Sequence, residues 1–366
     1  MNSPKFISLF SFWLIINSMG LESTEQMAHS ERQNQTQLEA CGLKGGVHDP
    51  VAIKTRTVHP FIMSVLPGSV DKGVSKELQQ GGMFDAMVLG PFQFLLQTRP
   101  CDATSIVADV GANVGFFSFF SLSMKCRVLI FEPQQRAGGC INATLCLDRQ
   151  FAAHADFFNM PVSNQSTVVF PVNYKETGNT GGLGSYMCAG GALSPGFRPK
   201  DCNSRPTASL DGILGLGERT IQAEWRKHTK GARRLRVLKV DTEGFEFDVL
   251  DSAALLLSRK LIDNILFELS PVIKGLTANL DMFRKLADFG YAFAHLPLFS
   301  WRHVSNYTHP FHARIIPLGR NMTAVSALLN DLMEGVKVPK WRGTFQTDIW
   351  ASLDETQFDA YNKQLH

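Results

Sequence analysis

Asp109, Gly111, Asn113, Gly115 and Glu132 are residues of this chain whose types and spacing can do chemistry together. They sit in VADVGANVGFFS, Val107 to Ser118, and in the apolar run VLIFEP that follows. Gly111 lets the chain turn sharply and Gly115 lets the backbone approach a ligand, while the next helix offers unpaired N–H groups to negative charge. A dinucleotide fingerprint G-x-G-x-x-G from Gly111 would need glycines where Asn113 and Phe116 stand, so a nicotinamide loop is disfavoured. An acid before the turn and a second acid roughly 20 residues on suit a ligand that carries a ribose. The competing reading is a Gly-rich turn in an unrelated α/β domain, with Asp109 as a helix cap.

A second group of acids ends two later apolar runs. LKVDTEGFEFDVL reads as a buried strand that breaks at Asp241 into a helix, with Glu243 in the break, and DNILFELSP places Glu268 near the end of its run. In an open α/β sheet, ligands bind beyond the carboxyl ends of the strands, so these carboxylates can take a proton or orient an acceptor or a divalent ion. The competing roles are structural. Asp241 or Thr242 can cap the helix near Gly244, Glu243 can favour its dipole, and Glu268 can pair with an Arg or Lys. Asp211 reads as a helix start. His295, His303, His309 and His312 match no helix-borne ligand spacing, so no metal site is assigned to them; His295 and Trp301 suit the lip of an acceptor site.

The elements that must position these residues follow from periodicity. Ser105 to Asp109, Val114 to Met124 and Arg127 to Glu132 have the spacing of strand, helix and strand in a βαβ unit. A second helix spans Gln135 to Arg149, and two short β-like runs flank a turn at Ser163 to Ser166. Thr177 to Asn203 is Gly-rich and reads as a long loop, either closing over a substrate or decorating the surface. The expected fold class is α/β, with a mostly parallel central sheet and helices on both faces.

Composition bounds the answer further. The chain has 366 residues, 44% of them hydrophobic and 27 of them Phe, which is globular in character. A net charge of +3 is small for this length and argues against a nucleic-acid partner. The dense basic run, Arg226 to Arg236, reads as a solvated loop before a strand or as a site for an anionic group. Residues 1–20 carry Lys5 and then an apolar run from Phe6 to Ile16, a secretory signal pattern that is cleaved or kept as an anchor. Without that segment the mature chain is expected to have no membrane span. Asn34, Asn142, Asn164, Asn306 and Asn321 each open an N-x-S/T sequon, and the cysteines contain no C-x-x-C pair. The expected organisation is a signal at 1–20, a flexible stem at 21–60, one domain at 61–345 with an insertion at 177–203, and a tail at 346–366.

VADVGANVGFFS, IFEPQ, SLDGIL, LKVDTEGFEFDVL and ILFELSP, in that order, resemble the FkbM family of class I methyltransferases over roughly residues 100–295. The resemblance implies a Rossmann-like fold, S-adenosylmethionine as donor and a hydroxyl acceptor, often on a sugar or polyketide. It also implies that Asp109, Gly111, Asn113 and Gly115 wrap the amino-acid part of the donor and that Glu132 holds the ribose. By the same resemblance Val162, Ser163 and Asn164 are candidates for the loop over the adenine, although a glycan on Asn164 would exclude that role. Asp241, Glu243 and Glu268 become the candidate catalytic residues. Together with the signal pattern, this implies O-methylation of a glycan or another small polar acceptor in the secretory pathway. The alternative is a glycan-binding or scaffold protein that keeps the fold without the reaction.

Overall fold

The computed structural model describes Cys41 and residues 49–102, 105–171, 202–214, 234–297, 314–335 and 347–365. The expected signal, the stem up to residue 40, nearly all of the Gly-rich stretch, residues 226–233 and the stretch bearing Trp301, His303, His309 and His312 lie outside these residues.

The strands in chain order are β1 (Val51–Lys54), β2 (Ile62–Val65), β3 (Ser105–Val110), β4 (Arg127–Phe131), β5 (Ala155–Phe158), β6 (Thr167–Pro171), β7 (Cys202–Pro206), β8 (Arg234–Val240), β9 (Ile262–Leu269), β10 (Ala292–Leu296), β11 (Ile316–Gly319) and β12 (Thr347–Ser352). Eight of them form one sheet in the order β11-β10-β12-β9-β8-β3-β4-β5. From β9 to β5 the neighbours are all parallel. β12 is antiparallel to both β9 and β10, and β11 is antiparallel to β10.

The parallel strands are buried because helices cover both faces, and their alternation sorts side chains between two cores. Val107 joins Phe116, Phe119 and Phe120 of the helix Phe116–Ser123 on one face. Ile106, Ala108 and Val110 join Val249, Leu256 and Phe283 on the other. From β3 the chain runs to β4 and β5 on one side and later to β8 and β9 on the other, so a crevice opens at the carboxyl ends of β3 and β8. This is the expected α/β architecture of a class I Rossmann-like methyltransferase fold.

Three expectations change. The domain starts earlier than residue 61, because β1 pairs with β2. The two β-like runs around Ser163 do not pair with each other. β5 completes the parallel sheet beside β4, and β6 pairs antiparallel with β7. Residues 346–366 are no tail: β12 lies inside the sheet, and Trp350, fully buried, donates from Nε1 to Asn264 Oδ1 at 3.0 Å. The helix Thr356–Gln364 closes over it through Phe358 and Tyr361.

Disulfides join Cys41 to Cys146 and Cys101 to Cys126. Cys140 is a buried free thiol whose pKa burial pushes up to about 12. Arg236, at the end of the basic run, is buried in β8 and donates to the Leu95 carbonyl, so it is not part of a solvated loop. Among the described residues no helix is long and apolar enough to cross a membrane.

Candidate active site

The turn after β3 is built on three left-handed residues, Gly111, Asn113 and Gly115, with φ of 78°, 52° and 90°. Gly111 and Ala112 donate to the Phe131 carbonyl at 2.9 and 3.0 Å, which holds the turn against the end of β4. A Cβ on Gly115 would stand 2.6 Å from the ring of Phe119, so close packing under the turn also demands glycine.

Asp109 and Glu132 flank this turn. Asp109 is fully buried and accepts from Ser118 Oγ at 2.6 Å. Burial raises its pKa, opposed by Lys239 and by the Ser118 bond. Glu132 accepts the Asn113 N–H at 2.8 Å through Oε2 and the Gln134 N–H at 2.7 Å through Oε1. Burial nevertheless pushes its pKa up to about 8, against those two bonds. The acid that ends the second strand thus fixes the turn that follows the first.

Asp241, Glu243 and Glu268 come together as expected from their strand ends. One carboxylate oxygen of each lies within 4.8 Å of the others. That much negative charge in one place calls for a proton or a cation to offset it. Glu243 has φ 53° and Gly244 φ 97°, a left-handed pair that forms the break after β8. The competing capping role is not filled, since no side chain caps the helix Glu246–Asp251; its first residue instead ties down the break. Glu246 accepts from the Thr242 N–H, the Thr242 hydroxyl and the Gly244 N–H at 3.0 to 3.1 Å. Asp241 instead accepts from Lys239 Nζ at 3.0 Å. Asp211 does not start its own helix, which Ser209 caps; it accepts from the Leu255 and Leu256 N–H groups of the helix Ala254–Ser258.

A cavity of about 740 Å³ unites the two groups. Gly111, Asn113 and Glu132 line one part, Asp241, Glu243 and Glu268 another, and Met160, Pro161 and Val162 an apolar side wall. Of the expected donor residues, Asp109, Gly115, Ser163 and Asn164 do not line it. Ser163 is buried with its hydroxyl accepting from the Gln165 N–H, and Asn164 is exposed at the turn, like the other described sequon residues Asn142 and Asn321. Of the stretch Val162 to Asn164, only Val162 reaches the cavity, as the last residue of the apolar wall. His295 bonds Thr347 Oγ1 at 2.8 Å through Nε2 and stands behind the cavity wall.

Three lining residues carried little signal in the sequence. Lys239, nearly fully buried, lies 3.0 Å from Asp241, 4.0 Å from Asp109 and 4.9 Å from the centre of the Phe117 ring. Burial disfavours its charge, but Asp241 and Asp109 outweigh that and raise its pKa. A lone lysine inside the apolar run of β8 was the available hint. Asp85 caps the helix Ala86–Thr98 from a left-handed backbone, with its pKa raised to about 6 by burial. Asp348 enters from β12, in a stretch with no recognisable motif.

The residues present fit S-adenosylmethionine. The cavity volume is that of a small-molecule site, and two acceptor atoms buried near the turn, Asp109 Oδ1 and Asn113 Oδ1, lack hydrogen-bond partners among the described residues. The acidic lining also complements a cationic sulfonium and ammonium.

Residues 109–293 match the family described as the methyltransferase FkbM domain. No curated protein matches the chain. Among solved structures, precorrin-6y C5,15-methyltransferase from Geobacter metallireducens GS-15 is 14% identical with a TM-score of 0.30, over 61% of this chain and 79% of that one. WbdD is 14% identical with a TM-score of 0.31, over 73% of this chain and 39% of that one. A SAM-dependent methyltransferase from Agrobacterium tumefaciens is 7% identical with a TM-score of 0.36, over 85% of this chain and 76% of that one. At these scores the three likenesses add nothing to the fold described above.

Proposed function

The chain belongs to the FkbM family of S-adenosylmethionine-dependent methyltransferases, and from that membership we propose that it methylates a hydroxyl of a glycan or another small polar acceptor in the secretory pathway. The observation that carries the reading is the convergence of Asp241, Glu243 and Glu268 on the cavity lined by Gly111, Asn113 and Glu132. When bound, S-adenosylmethionine supplies a methyl group on a sulfonium, open to in-line displacement.

In this reading Gly111, Asn113 and Gly115 shape the donor cradle, Asp109 supports it from beneath through Ser118 and Lys239, Asn113 offers an acceptor atom to the amino-acid part, and Glu132 faces the ribose. Met160 to Val162 give the apolar surface for the base. Asp241, Glu243 and Glu268 orient the acceptor hydroxyl and receive its proton, so the barrier falls by positioning and by base catalysis. Exposed Asn142, Asn164 and Asn321 and the two disulfides support an oxidising, glycosylating compartment. That compartment favours glycans as acceptors.

The test is calorimetric binding of S-adenosylmethionine, S-adenosylhomocysteine and NAD to the full chain, followed by transfer of a labelled methyl group to a panel of glycans and small polyols. Binding of the two adenosyl ligands without NAD, and label on a hydroxyl, is the expected result. Donor binding with no transfer to any hydroxyl acceptor would leave a scaffold that keeps the fold.

A further inference from the structure

Glu268 and Asp348 stand directly opposite each other in the ladder between β9 and β12. Residues so placed project from the same face of the sheet with Cβ atoms about 5 Å apart, and like charges there repel. Both side chains line the cavity, Glu268 at the carboxyl end of β9 and Asp348 at the start of β12. Glu268 Oε2 is buried with no hydrogen-bond partner among the described residues.

The surroundings deepen the conflict. Glu243, Asp241 and Glu246, from the end of β8 and the helix after it, face Glu268. Asp85, Asp241 and Glu246 face Asp348, with Lys239 as the facing cation, itself 3.0 Å from Asp241. On β10, beyond Thr347, the His295 imidazole is bonded to the Thr347 hydroxyl, and burial lowers its pKa. Lys239, the cation among these neighbours, is already engaged by Asp241 and Asp109, so its one charge does not offset two further ionised carboxylates.

We propose that Glu268 and Asp348 share one proton and that the pair is the base of the methyl transfer. Glu268 takes the acceptor's proton, and Asp348 acts through it as a positioning residue. The inference rests on the hydroxyl-methylation reading above and assigns its base. The shared proton supplies the missing donor to Glu268 Oε2 and leaves one negative charge on the pair. Burial and the facing acids raise both carboxyls well above the ordinary carboxylate range, the direction that retention of a proton by the pair requires. During transfer the bond from methyl carbon to sulfur breaks and the bond from methyl carbon to acceptor oxygen forms. The hydroxyl proton passes to the pair, which becomes neutral as the sulfonium becomes a thioether. Asp348 lies outside residues 109–293, so the base is completed by the strand inserted after the matched domain.

The test follows the carboxyl resonances of the full chain, labelled with ¹³C at Asp and Glu side-chain carboxyls, across a pH titration. Glu268→Gln assigns the Glu268 signal. The expected signal titrates at least about one pH unit above an ordinary glutamate, falls by about one unit in Asp348→Asn, and stays high in Asp348→Glu. A Glu268 signal in the ordinary range, or one that does not move in a folded Asp348→Asn, overturns the pair. A signal that responds only to added magnesium or manganese chloride also overturns it, in favour of a shared cation. S-adenosylmethionine binding by the unmodified protein is measured separately, so failure of the donor reading appears there and failure of the pair appears in the titration.

Discussion

A Cβ on Gly111 would stand 1.7 Å from the carbonyl oxygen of Asp241, so the donor turn and the acid-bearing turn touch through backbone alone. Asp241 also donates its N–H to the Val110 carbonyl at 2.9 Å, which ties the end of β8 to the residue before Gly111. Gly111→Ala must push these strand ends apart and place an alanine at φ 78°. We expect a loss of about 2 kcal/mol or more in stability and loss of S-adenosylmethionine binding by calorimetry. Gly139→Ala is the control: its Cβ meets nothing within 4 Å, it lies in the helix Gln135–Leu147, and the change should be neutral or mildly stabilising. Equal damage from both would contradict the close contact.

Glu132→Ala removes the acceptor for two backbone N–H groups and the carboxylate facing the cavity. Leaving a buried N–H without its acceptor costs about 1–3 kcal/mol, which loosens the turn, so donor affinity should fall by at least about tenfold. Calorimetry with S-adenosylhomocysteine checks it. Unchanged affinity would remove Glu132 from the donor site.

Lys239→Met should destabilise the fold, because it leaves Asp109 and Asp241 facing each other without their shared cation. Breaking a buried pair costs about 3–5 kcal/mol. The Asp241 side chain is 33% exposed, and solvent screening brings the expectation down to about 2–3 kcal/mol. Denaturant melts of the two proteins measure the difference; a loss below 1 kcal/mol, of the order found for surface pairs, would show that the lysine is dispensable.

Stability should fall as pH rises through the neutral range. Burial raises Glu132 from 4.5 to about 8, Glu77 from 4.5 to about 7 and Asp85 from 3.8 to about 6. Between each pair of values the folded chain holds a proton that the unfolded chain has lost, so raising pH favours unfolding. The ligand-free protein should melt at a lower temperature near about pH 8.5 than near about pH 5. Glu132→Gln should show a smaller difference, and an identical difference would place the titration elsewhere.

The bond between Cys101 and Cys126 closes a sequence separation of 25. Replacing both cysteines with serine should cost about 3 kcal/mol, read as a lower melting temperature. No change on replacement would show that the bond adds nothing to stability.

Local pattern carried the donor cradle. Asp109, Gly111, Asn113, Gly115 and Glu132 lie within one βαβ unit, where strand period, turn residues and helix follow each other along the chain, so their juxtaposition follows from neighbouring sequence. The ends of β8 and β9 were legible for the same reason: long apolar runs stop at Asp241 and near Glu268. Composition shows two short β-like runs around a turn at Ser163 to Ser166, but it does not say that β5 pairs with β4 and β6 with β7.

What the sequence by itself determined is the parallel sheet, the glycine turn and the acids that end its strands, since each depends on residues close together in the chain. Only the tertiary structure decided that residues 347–352 return antiparallel between β9 and β10. That one insertion sets Asp348 opposite Glu268, buries Trp350 and turns an apparent tail into part of the site. Strand pairing between residues 78 to 88 positions apart is fixed by packing over the whole sheet, and no local period records it.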